Sequence, residues 1–209
     1  MKKHLVLLGA PGSGKGTQSS RLKNDGLNHV STGDLLRGEI AKGSDLGKKV
    51  KGVMDAGQLV TDELVVELLK ANLNLNDSTY IFDGYPRNSV QAKTLDGILE
   101  GHDYLAVYFE LDLDILIERI TNRRTTKDGK HIYNLKTNPP KVDGVCDITG
   151  EPLIQRTDDN EEIVRDRMNV FKTTIDPILE FFQAKGRLVS IDAQQDPDQV
   201  YNQIIKNLE

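Results

Sequence analysis

The sequence predicts an α/β fold in which a five-stranded parallel sheet is flanked by helices on both faces. Two observations carry this prediction: five short apolar runs have the character of buried strands, and helical patterns separate them along the chain. Strands that alternate with helices are typical of parallel sheets covered on both sides. The length of 209 residues fits one domain, or one domain with inserted segments.

The predicted strands are continuous apolar runs, as expected for strands buried on both faces. They are HLVLL (4–8), NHVS (28–31), YIFD (80–83), LAVYFEL (105–111) and LVSID (188–192). Helical patterns cover roughly 15–24, 61–73, 88–99, 113–123, 160–185 and 197–208. In the longest of these, Pro177 is expected to break or kink the helix, because proline disfavours helical geometry in the residue before it. Gly186 suits the position just past the end of that helix.

Two stretches do not fit the alternation of strands and helices. Residues 32–60 contain helical pieces interrupted by glycines, and residues 124–158 are polar with turn signals. The alternating run KHIYNL predicts a short hairpin strand in the second stretch. Structureless loops of this length are uncommon in compact domains, so we predict two small inserted domains.

Composition narrows the classes of protein. Hydrophobic residues make up 37%, which is enough for a core, and the net charge of −5 does not favour a nucleic-acid surface. The single cysteine, Cys146, excludes a disulfide framework and favours a reducing compartment. No run reaches the ~18 apolar residues of a membrane span, and HLVLL is too short for a signal peptide. We therefore expect a soluble cytoplasmic protein that does not contact a membrane.

Gly9 to Lys15 match the pattern G-x-x-x-x-G-K, directly after a strand and at the start of a helical pattern. Glycines let successive backbone N–H groups curl around phosphate oxygens, and the helix N-terminus adds positive potential. The alternative is a plain glycine-rich turn, which we consider much less favoured in this context. The general motif continues with Ser or Thr, which ligates magnesium, but here Gly16 follows and Thr17 comes next.

Asp83 ends an apolar strand and should lie at the carboxyl edge of the sheet, where ligands bind in open α/β folds. A carboxylate there can hold magnesium directly or through its waters. The alternative is an aspartate that caps the following turn. Beside a phosphate-binding loop we favour the magnesium site, held largely through water.

Six arginines lack an obvious role in a core. Arg119 and Arg123 lie four residues apart on one predicted helix, where like charges repel weakly. Arg167 borders an apolar stripe, where an unpaired charge is costly. Taken singly, each arginine is best explained by a surface ion pair, but next to a phosphate-binding loop the set suggests a site for several phosphates. The set is Arg37, Arg87, Arg119, Arg123, Arg156 and Arg167.

The sequence resembles the adenylate kinase family, of the long-lid bacterial type, over nearly the whole chain. The resemblance rests on GAPGSGKGTQ, STGDLLR, GQLVTDELV, FDGYPR followed by Gln91, ERITNRR, NPPK and RTDDNEEIVRDR. The glycine after the lysine of the loop is the usual form in this family. The resemblance implies a P-loop NTPase-type three-layer fold with a core formed by 1–30, 61–121 and 160–209. It also implies a helical AMP-binding insert (31–60) and a small β lid (122–159).

The resemblance also implies residue roles. For ATP it implies Gly12, Ser13, Gly14, Lys15, Gly16, Thr17, Arg119, Arg123, Ile132, Tyr133 and Gln195. For AMP it implies Thr32, Arg37, Gln58, Leu59, Val60, Gly84, Tyr85, Pro86, Arg87, Gln91, Arg156 and Arg167. The implied catalytic set is Lys15, Arg87, Arg123, Arg156 and Arg167, with Asp83 on magnesium and Asp158 and Asp159 as an acidic pair of the lid.

Some members of this family hold the lid with zinc through four ligands in two close pairs. The corresponding positions here are Thr126, Gly129, Cys146 and Thr149. One thiolate cannot form a tetrahedral structural site, so we predict no zinc and a Cys146 that is simply packed.

The implied reaction is MgATP + AMP ⇌ 2 ADP by direct in-line transfer with lid closure, which serves adenine nucleotide homeostasis. ATP, AMP and ADP are the expected partners, and the family resemblance favours a monomer. One alternative is another nucleoside-monophosphate kinase, acting on UMP/CMP or GMP. A second alternative, of a different class, is a non-catalytic nucleotide sensor, which predicts a damaged arginine set or a missing Asp83.

Overall fold

The computed structural model describes residues 3–55 and 60–208, with all their side chains except those of residues 113 and 114. Its strands are β1 (His4–Leu8), β2 (Asn28–Ser31), β3 (Tyr80–Asp83), β4 (Tyr104–Glu110), β5 (Arg123–Thr125), β6 (Ile132–Asn134) and β7 (Leu188–Asp192). Its helices are α1 (Lys15–Asn24), α2 (Thr32–Lys42), α3 (Asp45–Asp55), α4 (Asp62–Asn72), α5 (Ser89–Ile98), α6 (Leu113–Thr121), α7 (Glu161–Ala184) and α8 (Pro197–Leu208). A short 3₁₀ turn, Thr157–Asp159, precedes α7.

The main sheet has five parallel strands in the order β2-β3-β1-β4-β7, which confirms the predicted fold class and all five predicted strands. The central strand β1 is buried along its whole length. In the register of the sheet, Asp83 lies beside Leu7 of β1 and beside Ser31 of β2. The loop after β1 and the end of β3 therefore meet at the same edge, at the point where the chain order reverses across β1.

The sheet separates two hydrophobic cores because successive side chains of a strand point to opposite faces. On one face Val6 and Leu8 of β1 pack with Phe82 and with Phe182 from α7. On the other face Leu5 and Leu7 pack with residues of α1, β7 and α8. Both faces of β1 are thus covered, which explains its continuous apolar sequence.

Helix α7 runs through Pro177 without interruption, so the predicted break does not occur. Ile175 on one side of the proline, and Ile178 and Phe182 on the other, are buried in the same core. This tertiary packing holds both halves of the helix against the sheet and outweighs the local preference. The helix ends at Ala184, and Gly186 lies just past its end as predicted, with a positive φ of 64° and an N–H that donates to the Gln183 carbonyl. No helix within 3–55 and 60–208 is both long and apolar enough to span a membrane.

Helix α6 ends at Thr121, so Arg119 and Arg123 do not share one helix as predicted. Arg123 instead opens strand β5 and pairs in register with Asn134 of β6. The Asn122 side chain donates to the Glu118 carbonyl at 2.9 Å, which satisfies a carbonyl at the end of the helix. Arg119 therefore lies on α6 and Arg123 on β5.

The two stretches that broke the alternation have secondary structure of their own. Residues 32–55 form α2 and α3, and β5 and β6 form a two-stranded antiparallel sheet that includes the hairpin strand predicted from KHIYNL. Isolated bridges join Thr125 to Ile154 and Val145 to Pro152. These contacts connect the distant parts of the segment 122–159, which we call the lid segment; its boundaries as a domain remain a prediction.

Candidate active site

The loop between β1 and α1 is shaped by glycines at φ values that other residues rarely adopt. Gly12 has φ 81°, and a Cβ atom there would lie 2.5 Å from Cγ1 of Ile120. Gly14 has φ 97° and immediately precedes the first residue of α1, Lys15. The first N–H groups of α1 have no side-chain cap, so this helix N-terminus remains available to an anion.

Lys15 lies across this loop. Its ammonium group donates to the carbonyls of Gly9 at 2.8 Å and Ala10 at 2.9 Å, and more weakly to Ser13 Oγ at 3.3 Å. Burial lowers the pKa of Lys15 to about 8; Asp83 opposes this shift, whereas Arg87, Arg167 and Arg123 add to it. Lys15 is therefore within electrostatic reach of three of the predicted arginines and of the predicted magnesium carboxylate.

The start of α1 also contacts the lid segment. A Cβ atom on Gly16 would lie 3.0 Å from Cδ1 of Ile132, so the Ile132 side chain of β6 reaches the first turn of α1. A side chain at position 16 would require the flexible end of Ile132 to move by a few tenths of an ångström, so this contact alone does not require glycine. Thr17, the next residue, is exposed on α1.

Asp83 stands at the end of β3 with a side chain that is only 15% exposed. Burial would raise its pKa, but a hydrogen bond with His29 and the charges of Lys15 and Arg87 lower the pKa below its ordinary value. Nε2 of His29 lies 3.3 Å from Oδ2 of Asp83. Asp83 is thus kept ionised, and an ionised carboxylate is a ligand that magnesium prefers.

The side chains of two predicted AMP residues, Thr32 and Arg87, donate to the backbone carbonyl of a third, Gly84. The Gly84 oxygen accepts from Thr32 Oγ1 at 2.9 Å and from Arg87 Nε at 2.7 Å. Gly84 has φ 78°, and a Cβ atom there would lie 3.1 Å from Arg87 Nη2 and 3.2 Å from Thr32 Oγ1. Glycine at this position therefore allows Thr32 and Arg87 to lie close together at the edge of the sheet.

Gln91 is 2% exposed and its side-chain amide is held at both ends. Its Oε1 accepts from the Arg87 backbone N–H at 2.7 Å, and its Nε2 donates to Asp62 Oδ1 at 2.6 Å. Tyr85 belongs to the core, and burial together with the charge of Asp62 raises its pKa to about 12. The neighbouring Pro86 is buried as well and follows a cis peptide bond.

Two arginines pair with two adjacent aspartates of the 3₁₀ turn. Nε of Arg123 donates to Oδ2 of Asp159 at 2.8 Å, and Nη2 donates to Oδ1 of the same carboxylate. Nη1 of Arg167 donates to the side chain of Asp158 at 2.7 Å and to its carbonyl at 3.0 Å. Both guanidinium groups are largely buried, at 14% and 16% exposure, so these ion pairs fix their positions.

Arg37 and Arg156 share the carboxylate of Asp34. Arg37 Nη2 donates to Asp34 Oδ1 at 2.5 Å, and Arg156 Nη2 lies 3.8 Å from the same oxygen. The pKa of Arg156 is lowered to about 10. Burial is the main cause, and the charges of Arg37 and Arg123 contribute to the same shift. One carboxylate between two cations leaves a net positive region, which favours a bound anion.

The remaining residues predicted to contact ATP lie on α6, after β7 and in the lid segment. Arg119 donates to the carbonyl of Ala193 at 3.1 Å, two positions before the exposed Gln195 in the chain. Tyr133 is buried, and its hydroxyl lies 3.6 Å from Cys146 Sγ and accepts from Asp147 N–H at 2.9 Å. The Tyr133 side chain thus points into the lid segment, whereas Ile132 points toward the phosphate loop.

The structure brings most of the predicted residues to one edge of the sheet. Gln58 and Leu59 lie outside the described residues, and Val60 packs against the core. Sequence reasoning missed the partners that hold the site residues. They are His29, Asp34 and Asp62, and the one available signal was the position of Asp34 and Asp62 inside the quoted family motifs.

The four positions that correspond to a zinc site are held by hydrogen bonds. Thr126 Oγ1 donates to Asp128 at 2.7 Å, and Thr149 Oγ1 donates to Glu151 at 3.3 Å. Cys146 is buried, and although desolvation opposes it, hydrogen bonding by Thr149 lowers the pKa of the thiol to about 7. Within 3–55 and 60–208, no group of three or more His, Cys, Asp or Glu side chains could hold a metal ion.

The fold and the site together define a P-loop nucleotide-binding enzyme of the kinase type: a glycine loop with its lysine, a strand-end carboxylate and a cluster of arginines, of which Arg123, Arg156 and Arg167 are largely buried. The sequence model described as "Adenylate kinase" matches residues 7–187. Similar curated proteins include the adenylate kinases of Thermosipho melanesiensis, Nitrosococcus oceani and Vanderwaltozyma polyspora, each 42% identical. The alignments cover 97–98% of this chain and 97%, 97% and 95% of those proteins.

The chain belongs to the adenylate kinase family.

Proposed function

We propose that this chain transfers the terminal phosphoryl group of MgATP to AMP, giving two molecules of ADP. The observation that carries the proposal is the convergence of Lys15 with Arg87, Arg123 and Arg167, whose charges all act on the Lys15 pKa. Asp83, Asp158 and Asp159 offset part of the repulsion among these four cations, and further anions between them would stabilise the cluster. Two nucleotides with their phosphates end to end supply such anions.

The two nucleotides would enter from opposite sides of this cluster. The phosphates of ATP would occupy the amides of the loop from Gly12 to Thr17, at the N-terminus of α1. The phosphate of AMP would face the cations of Arg37 and Arg87, beside Thr32. Arg156 and Arg167 would then lie between the two substrates.

The transfer itself needs no general base. An oxygen of the AMP phosphate is already ionised; it forms a bond to the γ-phosphorus while the bond from that phosphorus to the β,γ-bridging oxygen breaks. Lys15, Arg123 and Arg167 would stabilise the charge spread over the transferring group, and their ion pairs hold them in place beforehand. Catalysis of this kind consists of alignment and charge stabilisation.

Asp83 fits the magnesium that accompanies ATP. Its carboxylate is held ionised by His29 and Lys15 at the carboxyl edge of the sheet, and oxygen ligands suit this ion. When bound, magnesium would neutralise charge on the phosphate oxygens. The exposed Thr17 would take part at most through water.

The lid segment would exclude water, which competes with AMP as an acceptor. Two contacts of the described residues support this role: Ile132 lies over Gly16, and a Cβ atom on Gly129 would lie 3.4 Å from Asp34 Oδ1. The lid segment thus reaches both the phosphate loop and α2. Closure over both substrates would commit the phosphoryl group to AMP and serve adenine nucleotide homeostasis.

The test is ADP formation from MgATP with AMP, UMP, CMP or GMP as acceptor, measured with and without an inhibitor in which two adenosines are joined by a phosphate chain. We expect turnover with AMP and strong inhibition by the two-headed compound. Lys15→Met should abolish turnover, whereas Lys23→Met, an exposed lysine of the same helix, should leave it unchanged. Faster turnover with UMP, CMP or GMP would overturn the choice of AMP, and nucleotide binding without turnover would identify a sensor.

A further inference from the structure

The side-chain amide of Gln91 has one orientation that satisfies its neighbours. The Arg87 backbone N–H can only donate, so Oε1 must face it, as the 2.7 Å contact shows. The carboxylate oxygen Oδ1 of Asp62 accepts from Nε2, as the 2.6 Å contact shows, so Nε2 faces Asp62. The flipped amide would set donor against donor and acceptor against acceptor at a side chain that is 2% exposed, which would leave these contacts unfavourable.

Asp62 also holds the turn that carries Gln91. The Asn88 side chain accepts from the Gln91 backbone N–H at 2.8 Å, which caps α5, and its Nδ2 lies 3.3 Å from Asp62 Oδ1. Asp62 itself is the first residue of α4, where the helix N-terminus stabilises a negative charge. A single carboxylate therefore fixes both the backbone position and the amide plane of Gln91.

The fixed amide keeps one hydrogen-bond donor and one acceptor free. Among residues 3–55 and 60–208, the second N–H of Nε2 and the second lone pair of Oε1 have no partner. The adenine edge offers the complementary pair, an acceptor at N1 and a donor at N6. Guanine and hypoxanthine offer the reverse, a donor at N1 and an acceptor at O6. A glutamine amide that can flip serves both kinds of purine, but one that cannot flip serves a single kind.

We propose that Asp62 is a positioning residue that fixes the orientation of the Gln91 amide and thereby makes the monophosphate site select adenine over 6-oxopurines. The inference rests on the proposed function, since it assumes that Gln91 contacts the base of the acceptor nucleotide. Asp62 acts on Gln91 directly and through the capping residue Asn88. The substrate class that it excludes is the 6-oxopurine monophosphates.

The test compares AMP with inosine monophosphate as acceptors, because the two bases differ chiefly at N1 and position 6. Asp62→Asn keeps the size of the side chain but can present either an oxygen or an N–H to Gln91, so both amide orientations become acceptable. Because a well-placed amide–base pair discriminates between matching and mismatching bases, we expect the preference for AMP in kcat/KM to fall about tenfold. The KM for AMP should rise, while the KM for ATP and kcat at saturating AMP should change less than about threefold.

Two matched variants accompany Asp62→Asn. Asp62→Glu retains the carboxylate and should restore part of the AMP preference. Glu63→Gln removes the same charge from the neighbouring exposed residue of α4 and should leave the preference unchanged. A loss of preference in Asp62→Asn that Glu63→Gln shared would assign the effect to helix charge and overturn the proposal.

Side-chain hydrogen exchange of Gln91 in the wild-type protein gives an independent readout that does not depend on any variant. The N–H bonded to Asp62 should exchange at least about tenfold more slowly than that of an exposed glutamine. Exchange at the rate of an exposed glutamine, or an unaltered preference for AMP in Asp62→Asn, would overturn the inference while leaving AMP turnover intact. A wild-type enzyme that does not phosphorylate AMP would instead overturn the proposed function and this inference with it.

Discussion

Arg123 and Asp159 form a two-pronged ion pair that joins strand β5 to the turn before α7. Nε of the guanidinium donates to one carboxylate oxygen at 2.8 Å and Nη2 donates to the other, and the Asp159 side chain is fully buried. Burial lowers the pKa of Arg123, but the bond to Asp159 and the charges of Asp158 and Asp34 raise it overall. The guanidinium group of Arg123 therefore keeps its positive charge, is held in one orientation by Asp159, and acts electrostatically on Lys15.

The first prediction concerns this pair. Arg123→Ala should lower kcat at least ~100-fold, because one fixed charge-stabilising donor contributes about that much to turnover. It should also lower the free energy of unfolding by about 3 kcal/mol, since the one ion-pair partner that Asp159 would keep among the described residues is the more distant Arg167, at 3.7 Å. Steady-state kinetics and urea titration measure the two effects.

Arg124→Ala is the matched control for Arg123→Ala. The guanidinium of Arg124 donates only to the carbonyls of Thr121 and Arg123 among the described residues, so its removal should change kcat less than about threefold. Full activity of Arg123→Ala, or an equal loss in both variants, would contradict the assigned role of Arg123.

The second prediction concerns stability and pH. Lys15 has a pKa of about 8 in the folded protein against 10.5 ordinarily, with burial as the main cause. Between these values the unfolded chain binds more protons than the folded one, so the contribution of Lys15 to stability rises as pH increases from about 8 to 10.5. Lys15→Met should remove this rise, and urea titrations from pH 7 to 10 would measure it.

The difference between wild type and Lys15→Met isolates this contribution from other titrating groups. Tyr85, for example, keeps its proton in the folded state to a pKa of about 12, so it acts in the opposite direction above pH 10 in both proteins. Lys23→Met should follow the wild-type pH dependence, because that lysine is exposed. Parallel curves for wild type and Lys15→Met would show that Lys15 titrates normally.

The third prediction concerns His29, which orients Asp83 from the neighbouring strand at 3.3 Å. His29→Leu should raise the magnesium concentration needed for half-maximal activity about tenfold, a typical effect for a residue that positions a metal-associated carboxylate. His29→Gln retains an N–H donor and should restore most of the affinity. Direct magnesium titration of the ADP complex by calorimetry checks the effect without turnover, and an unchanged affinity in His29→Leu would refute it.

The fourth prediction concerns the lid segment, where hydrogen bonds of Thr126 and Thr149 stand at positions that correspond to zinc ligands in some relatives. Treatment with a strong chelator should leave the Tm of the nucleotide-free protein unchanged within about 1 °C, because no ligand set for a structural metal is expected. Elemental analysis should find less than one zinc in ten chains. Stoichiometric zinc and a chelator-induced fall in Tm would reverse this prediction.

The sequence was informative where a structural requirement is local. The strands could be predicted because β1 and its neighbours are buried on both faces and their apolar residues are therefore continuous. The phosphate loop could be predicted because its glycines and Lys15 occupy successive positions whose backbone geometry depends on those residues. Arg167 could be singled out because a charged side chain beside an apolar stripe is costly unless it has a partner of opposite charge.

The sequence was uninformative where tertiary contacts decide. His29 meets Asp83 across 54 residues and Asp62 meets Gln91 across 29, so neither partnership leaves a pattern in the local sequence. The continuity of α7 through Pro177 depends on core contacts on both sides of the proline, which a local preference cannot foresee. The assignment of Arg123 to a helix failed because helix ends vary by a few residues and a strand began immediately afterwards.

Helix α7 carries Arg167 near its beginning and the core residue Phe182 near its end. Lys15, with which Arg167 is electrostatically coupled, lies near the other extreme of the chain. A ribosome therefore releases the phosphate loop long before the guanidinium that must face it. Since a domain folds as a unit, and since the main sheet is completed only by β7, which follows α7 in the chain, the nascent protein cannot form the complete site until this part of the chain has been synthesised.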